Sequence, residues 1–215
     1  MVEIEYCSDF ELYLHMYVQN DVSLLKELPH SVLPPLMTLA LIDVYRGDEE
    51  IVGSFMTSVS PMKVHTLRLE SNGGFTDAAK YIDGIVNLLK SVTDSVTFTY
   101  FKFDSATLST FFKNASHIPE VHLKWCEIDT EEPMNFTTDG LYKIEVLGFE
   151  GCGKYSKWNL KRHNFERIID AIGSSSFKHS LTLLSAIDCG LSKTMIQSLL
   201  IDKKIDCNVI IEGMY

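Results

Sequence analysis

No two of the five cysteines are spaced C-x-x-C: Cys7, Cys126, Cys152, Cys189 and Cys207 are scattered along the 215 residues. This argues against a structural zinc framework and a dense disulfide scaffold, and it points to a reducing, intracellular compartment, with the cytoplasm as the expected location. A membrane-spanning run is missing too, because the most apolar stretch, SVLPPLMTLALIDVY, is shorter than the roughly 20 residues a helix needs and contains Pro34 and Pro35. No membrane insertion is expected. Basic residues are in deficit, with 19 Lys and Arg against 29 Asp and Glu and a formal net charge of -10, so the surface repels phosphate backbones. Nucleic acid is therefore not the expected partner. The opening MVEIEYCSDFELY has neither a basic n-region nor a long apolar h-region and reads as mature protein. Accordingly, the triplets Asn114-Ala-Ser116 and Asn135-Phe-Thr137 read as chance glycosylation matches. No histidine pair at i, i+4 carries the acidic partner of a zinc hydrolase helix, since His117 and His122 lie five apart.

What is present is ample apolar material, 46% of the chain, enough for one large domain or an elongated array. Its arrangement repeats. In IPEVHLKWCEID, residues 118–129, the apolar positions Ile118, Val121, Leu123, Cys126 and Ile128 fit neither a helix nor a simple strand. They have the form L-x-x-L-x-L-x-x-(N or C)-x-L, and the same frame is read at Val64, Leu67, Leu69 and Asn72 and at Val96, Phe98, Phe101 and Phe103. It returns at Leu141, Ile144, Val146 and Phe149, and again at Leu181, Leu184, Ala186, Cys189 and Leu191. Weaker copies occur at Leu36, Leu39, Leu41 and Val44 and at Val209 and Ile211. Most frames start about 23 to 29 residues apart, the period of a structural repeat. In each, the L-x-L part puts alternate side chains on one face of a short strand, and the following corner residue turns the chain inward.

Helical periods fill most intervals: Ile51, Val52, Phe55 and Met56; Phe75, Ala79, Ile82, Val86 and Leu89; Leu108, Phe111, Phe112 and Ala115; Phe165, Ile168, Ile169 and Ile172; Met195, Ile196, Leu199 and Leu200. The interval after Ile128 lacks one and contains Pro133, which predicts an irregular loop. Strand, corner and helix make the unit. The sequence resembles the leucine-rich repeat family, of the ribonuclease-inhibitor-like class, most closely in SLTLLSAIDCGLSKTMIQSLL, residues 180–200, where Ala186 replaces one leucine. That resemblance implies an α/β solenoid, a curved parallel sheet lining a concave face with helices on the convex side, over residues 36–215 in about six to seven repeats. An ordinary α/β sheet with parallel strands has the same alternation without requiring the corner residue. Residues 1–35 read as a helical N-terminal cap, from the capping-box spacing of Ser8 and Glu11 before Phe10, Leu14, Tyr17 and Val18 and a second helical piece at Val22, Leu25 and Leu28.

Proteins of that family are mostly binding scaffolds, so the resemblance implies a non-enzymatic protein–protein interaction module, a small subunit of a larger assembly, with protein partners and no cofactor. Two alternatives stand beside it. GFEGCGKY, residues 148–155, matches the G-x-x-x-x-G-K of a phosphate-binding loop from Gly148 to Lys154, which would make the chain a nucleotide-binding enzyme, but Tyr155 replaces the metal-binding hydroxyl residue. LPHSVLPPLMTLAL distantly resembles the opening of an F-box, an adaptor motif, although Pro34 and Pro35 interrupt its helix. If the inward side chains are Leu67, Val96, Val121, Ile144 and Leu184, the concave face carries Arg68, Thr97, His122, Glu145 and Ser185 in one column. The next column is Glu70, Thr99, Lys124, Leu147 and Ile187. Tyr100 and Trp125 follow at equivalent positions and are expected side by side, and with Arg68, His122, Lys124 and Glu145 they form the predicted binding surface.

Overall fold

The computed structural model describes residues 2–7, 11–17, 36–42, 53, 56, 63–71, 74–152 and 160–211. In chain order the strands are β1 (Val2–Cys7), β2 (Glu11–Tyr17), β3 (Leu36–Ile42), β4 (Val64–Glu70), β5 (Thr76–Asp77), β6 (Val92–Thr99), β7 (Phe101–Asp104), β8 (Glu120–Lys124), β9 (Glu127–Asp129), β10 (Val146–Glu150), β11 (Leu183–Ile187) and β12 (Asn208–Ile210). Helices α1 (Ile82–Leu89), α2 (Ser105–Asn114), α3 (Arg162–Gly173), α4 (Phe177–Ser180) and α5 (Lys193–Asp202) lie among them. Nine strands make one sheet in the order β1-β2-β3-β4-β6-β8-β10-β11-β12, while β5, β7 and β9 form a second, three-stranded sheet. Among the described pairings only β1–β2 is antiparallel. The fold is thus mixed α/β with a mostly parallel sheet, and the described pairings do not close into a barrel.

Alternation decides the strands. In β6 and β8, Val96, Phe98, Val121 and Leu123 are fully buried, while Thr97, Thr99, His122 and Lys124 between them are half-buried on the other face. Helices cover the first face because their stripes are apolar, and two of them, α2 and α5, also open on a side-chain cap. The Asp104 carboxylate accepts from the Thr107 amide at 2.7 Å to open α2, whose Leu108, Phe111 and Phe112 are buried. In α5, the Ser192 hydroxyl accepts from the Met195 amide at 3.3 Å, and Ile196 and Leu200 face inward. Between sheet and helices, the Phe98 ring meets Phe101 edge-on at 5.3 Å and Phe111 at 5.1 Å. Further along the sheet, Phe149 meets Phe165 at 6.1 Å.

Two expectations change. The helical cap expected over residues 1–35 is, where described, the hairpin β1–β2, because Val2, Ile4 and Tyr6, and Leu12, Leu14 and Met16, alternate with period two. That alternation outweighs the capping-box spacing, and residues 18–35, with the second helical piece, lie outside the described residues. Of the period at residues 51–56 only Gly53 and Met56 are described, both helical, with Met56 buried against Gly84. In the fourth frame, register pairs Leu147 with Val121 and Phe149 with Leu123, so the strand begins three residues later than Ile144 suggests. Leu141, the expected frame start, is 80% exposed. The loop expected after Ile128 runs from Thr130 to Glu145 without helix or strand.

Candidate protein-binding face

Parallel register carries one open-face residue per strand into a row: Ala40, Arg68, Thr97, His122, Gly148, Ser185 and Ile210. Two residues further along the strands, Glu70, Thr99, Lys124, Glu150 and Ile187 form a second row. Both expected columns therefore exist except at β10, where Gly148 and Glu150 replace Glu145 and Leu147. Glu145 precedes the strand and is exposed, its carbonyl accepting from the Thr182 and Leu183 amides, and Leu147 is fully buried. Arg68, His122 and Lys124 lie where the sequence put them. The Lys124 ammonium is held by the Glu150 carboxylate at 2.7 Å, and His122 Nε2 lies 3.6 Å from a Glu120 oxygen.

Beyond the second row the chain leaves the sheet, and every exit from β6 to β11 is left-handed: Tyr100 at φ 62, Trp125 at φ 52, Gly151 at φ 63 and Asp188 at φ 53. The turn points the chain from β6 into β7 and from β8 into β9. Amide-to-carbonyl bonds continue the ladder through it, Tyr100 donating to Lys124 at 3.1 Å and Gly151 to Ile187 at 2.9 Å. Tyr100 and Trp125 are half-buried and stacked, with centroids 6.5 Å apart and planes at 24°, and Phe75 meets Tyr100 edge-on at 6.4 Å. The indole reaches across the next strand: a Cβ at Gly151 would lie 2.3 Å from Trp125 Cε3. In the same way the His122 ring covers Gly148, whose Cβ would come within 2.5 Å of Nδ1. Large side chains thus lean over glycines of the neighbouring strand. A bulky residue at positive φ costs roughly 1–2 kcal/mol that glycine would avoid, so the two rings are kept against backbone preference.

Behind the exits the corner positions are Phe101, Cys126, Cys152 and Cys189, all buried. The corrected register adds Cys152 to the corner cysteines. The Cys126 thiol donates to its own strand's Lys124 carbonyl at 3.3 Å and to the Phe98 carbonyl of the preceding strand at 3.5 Å, and Cys152 donates to Leu123 at 3.3 Å. These are small side chains that satisfy backbone left over at the turn. Burial pushes the Cys126 thiol well above its ordinary range, and the neighbouring Cys152 sulfur, with burial, keeps Cys189 protonated. Neither has the character of a nucleophile. At half-buried Cys207, burial raises the thiol to about 11.

Of the phosphate-loop match, Gly148 is inside β10 under His122 and Gly151 makes the exit turn, while Gly153, Lys154 and Tyr155 lie outside the described residues. Most of the F-box-like stretch lies outside them as well. Among the described residues no group of three or more His, Cys, Asp or Glu is placed to hold a metal, and no helix is long and apolar enough to cross a membrane. Reasoning from sequence missed Gly148, Gly151 and Phe75 as parts of this surface and Cys152 as a buried corner behind it. The signal for three of them was present, since Leu147-x-Phe149-x-x-Cys152 has the spacing of Val121-x-Leu123-x-x-Cys126. Comparison of the chain with family models, curated proteins and solved structures gives no match.

Proposed function

We propose that the chain is a non-enzymatic protein-binding scaffold, a repeat array of the leucine-rich type, whose partner lies along the open face of the nine-stranded sheet. Support for the array comes from strand order following chain order and from frames that fall into register at Val96, Val121, Leu147 and Leu184. The observation that carries the binding reading is the Tyr100–Trp125 stack, two half-buried rings held in left-handed backbone at the mouth of central strands. Rings fixed in this way lose little conformational freedom on association and displace water from the partner's apolar groups. Arg68, His122 and Lys124 set orientation around them. In a subunit of a larger intracellular assembly, this face would be covered by another chain.

Site-specific photo-cross-linking in the source cell tests it. A photoreactive residue at Thr97 or Lys124, on the open face, is expected to give the same adduct. The same group at Asp83, exposed on α1, is expected to give none of it. Equal labelling from both sides, or an adduct from the helix side alone, would refute the assignment of the face.

A further inference from the structure

The strand at the far end of the sheet follows the pattern of the others but is covered less. Register carries the fully buried row Val96, Val121, Leu147 and Leu184 into β12 at Val209, and there the same position is only half-buried. Ile211, the next residue of that face by alternation, is half-buried too. Two of the three large apolar side chains exposed among the described residues, Ile201 at 74% and Ile210 at 40%, stand at this end. A groove of about 530 Å³ runs between α5 and β12, lined by Lys193, Gln197, Leu200, Ile201, Asp206 and Val209. Among the described residues no strand pairs with the outer edge of β12, so that edge presents an open hydrogen-bonding ladder.

Charge selects the occupant. The Lys203 ammonium is held by Asp170 at 2.7 Å. The other exposed charges divide along α5: Lys193 stands in its first turn, while Asp202, Lys204 and Asp206 gather at its end with a net negative sum. Lys193 is thus at the unfavourable end of its own helix dipole. A two-fold axis at the edge of β12 brings a second α5 alongside, antiparallel and on the same side of the sheet. Each Lys193 then meets the acidic C-terminal end of the other helix, where its charge is favourable. With a net charge of -10, most of the surface repels a second copy, and this edge offers it two matched contacts.

We infer that β12 and α5 form a self-association edge, on which a second copy of this chain pairs its β12 antiparallel to the first and covers Ile201 and Val209 of both. The pairing joins two nine-stranded sheets into one and leaves the open face uncovered, so it does not rest on the protein-binding reading.

Sedimentation of the 215-residue chain at low salt is expected to show a reversible dimer, twice 24.4 kDa, with a Kd of roughly 1–100 µM, as suits a small edge. Ile201→Asp, at an exposed position, should weaken it about tenfold or more with little change in melting temperature. Leu141→Asp, in the loop before β10, should not, and an equal loss there would reveal unspecific apolar association and overturn the inference. Lys193→Glu and Asp202→Lys should each be monomeric alone, because like charges meet, whereas their equal mixture should dimerise as wild type does. A chain that stays monomeric to about 200 µM, beyond the Kd expected of such an edge, would overturn the inference. So would a dimer indifferent to Ile201→Asp, or a mixture no more associated than its components. Deleting residues 212–215, which lie outside the described residues, should leave the dimer intact. Association that appears only after the deletion would make that segment the occupant in place of a second copy.

Discussion

Replacing Gly151 by Ala probes the exit turns and the aromatic stack together. At φ 63 an alanine costs roughly 1–2 kcal/mol more than glycine, offset by about half a kcal/mol from the stiffer unfolded chain. The larger effect is steric. The new Cβ would sit 2.3, 2.5 and 2.6 Å from Cε3, Cδ2 and Cζ3 of Trp125. Carbon atoms rest about 3.5–4 Å apart, so the indole must move by roughly 1 Å, and displacing a packed ring costs about 1–3 kcal/mol. Together the substitution should destabilise by about 3 kcal/mol, a fall in melting temperature of about 6–12 °C for a chain of this size. Urea unfolding of wild type, Gly151→Ala, Trp125→Ala and the double variant closes a cycle in which the second alanine costs only about 1 kcal/mol once the indole is gone. Coupling below about 0.5 kcal/mol, or a single-variant cost below about 1 kcal/mol, would show that the indole does not rest on Gly151.

Leu123→Ala, at a fully buried position between sheet and helices, should cost about 2–5 kcal/mol in denaturant unfolding, and a value under about half a kcal/mol would contradict the sheet's inward face. Lys102 reaches the buried Glu127 carboxylate at 3.1 Å from half-exposed surface, so Lys102→Met should lose about 2 kcal/mol. Lys102→Met with Glu127→Met should recover most of it, and an equally unstable double variant would remove the ion pair from the account. The raised thiols give stability a pH dependence. Cys126 and Cys189 stay protonated in the fold but ionise above about pH 8.5 when unfolded, so the native state binds more protons there and stability falls by up to about 1.4 kcal/mol per pH unit for each. Cys126→Ser should flatten the alkaline slope by one thiol's share; an unchanged slope would argue against burial of that sulfur.

Much of the sheet could be read from alternation because β8, β11 and the last residues of β4 and β6 bury every second residue, and a row of open-face residues follows as soon as two strands are aligned. The stacking of Tyr100 on Trp125 needed nothing more. At β10 the reading slipped because Ile144 and Val146 mimic the L-x-L step and Ile144 is itself buried, in the segment leading into the strand. Gly148, where neighbours carry variable polar residues, looked like turn chemistry, yet it is an open-face residue emptied to admit His122. The left-handed exits were hard to see for a different reason: Tyr and Trp are poor residues for positive φ, and only Gly151 and, more weakly, Asp188 carried a signal. In β1 and β2 a local capping pattern competed with alternation, and pairing with neighbouring strands decided the outcome.

The most direct test of the scaffold reading is the affinity of Trp125→Asn for the partner recovered through Thr97, measured beside the variant's melting temperature. Asparagine relieves the positive-φ strain while removing the ring, so these opposed effects leave the melting temperature within about 4 °C of wild type. Loss of the ring should weaken partner binding by about 2 kcal/mol or more, roughly thirtyfold. Intact affinity together with a clearly lowered melting temperature would contradict the account, placing the indole in the fold and the partner elsewhere.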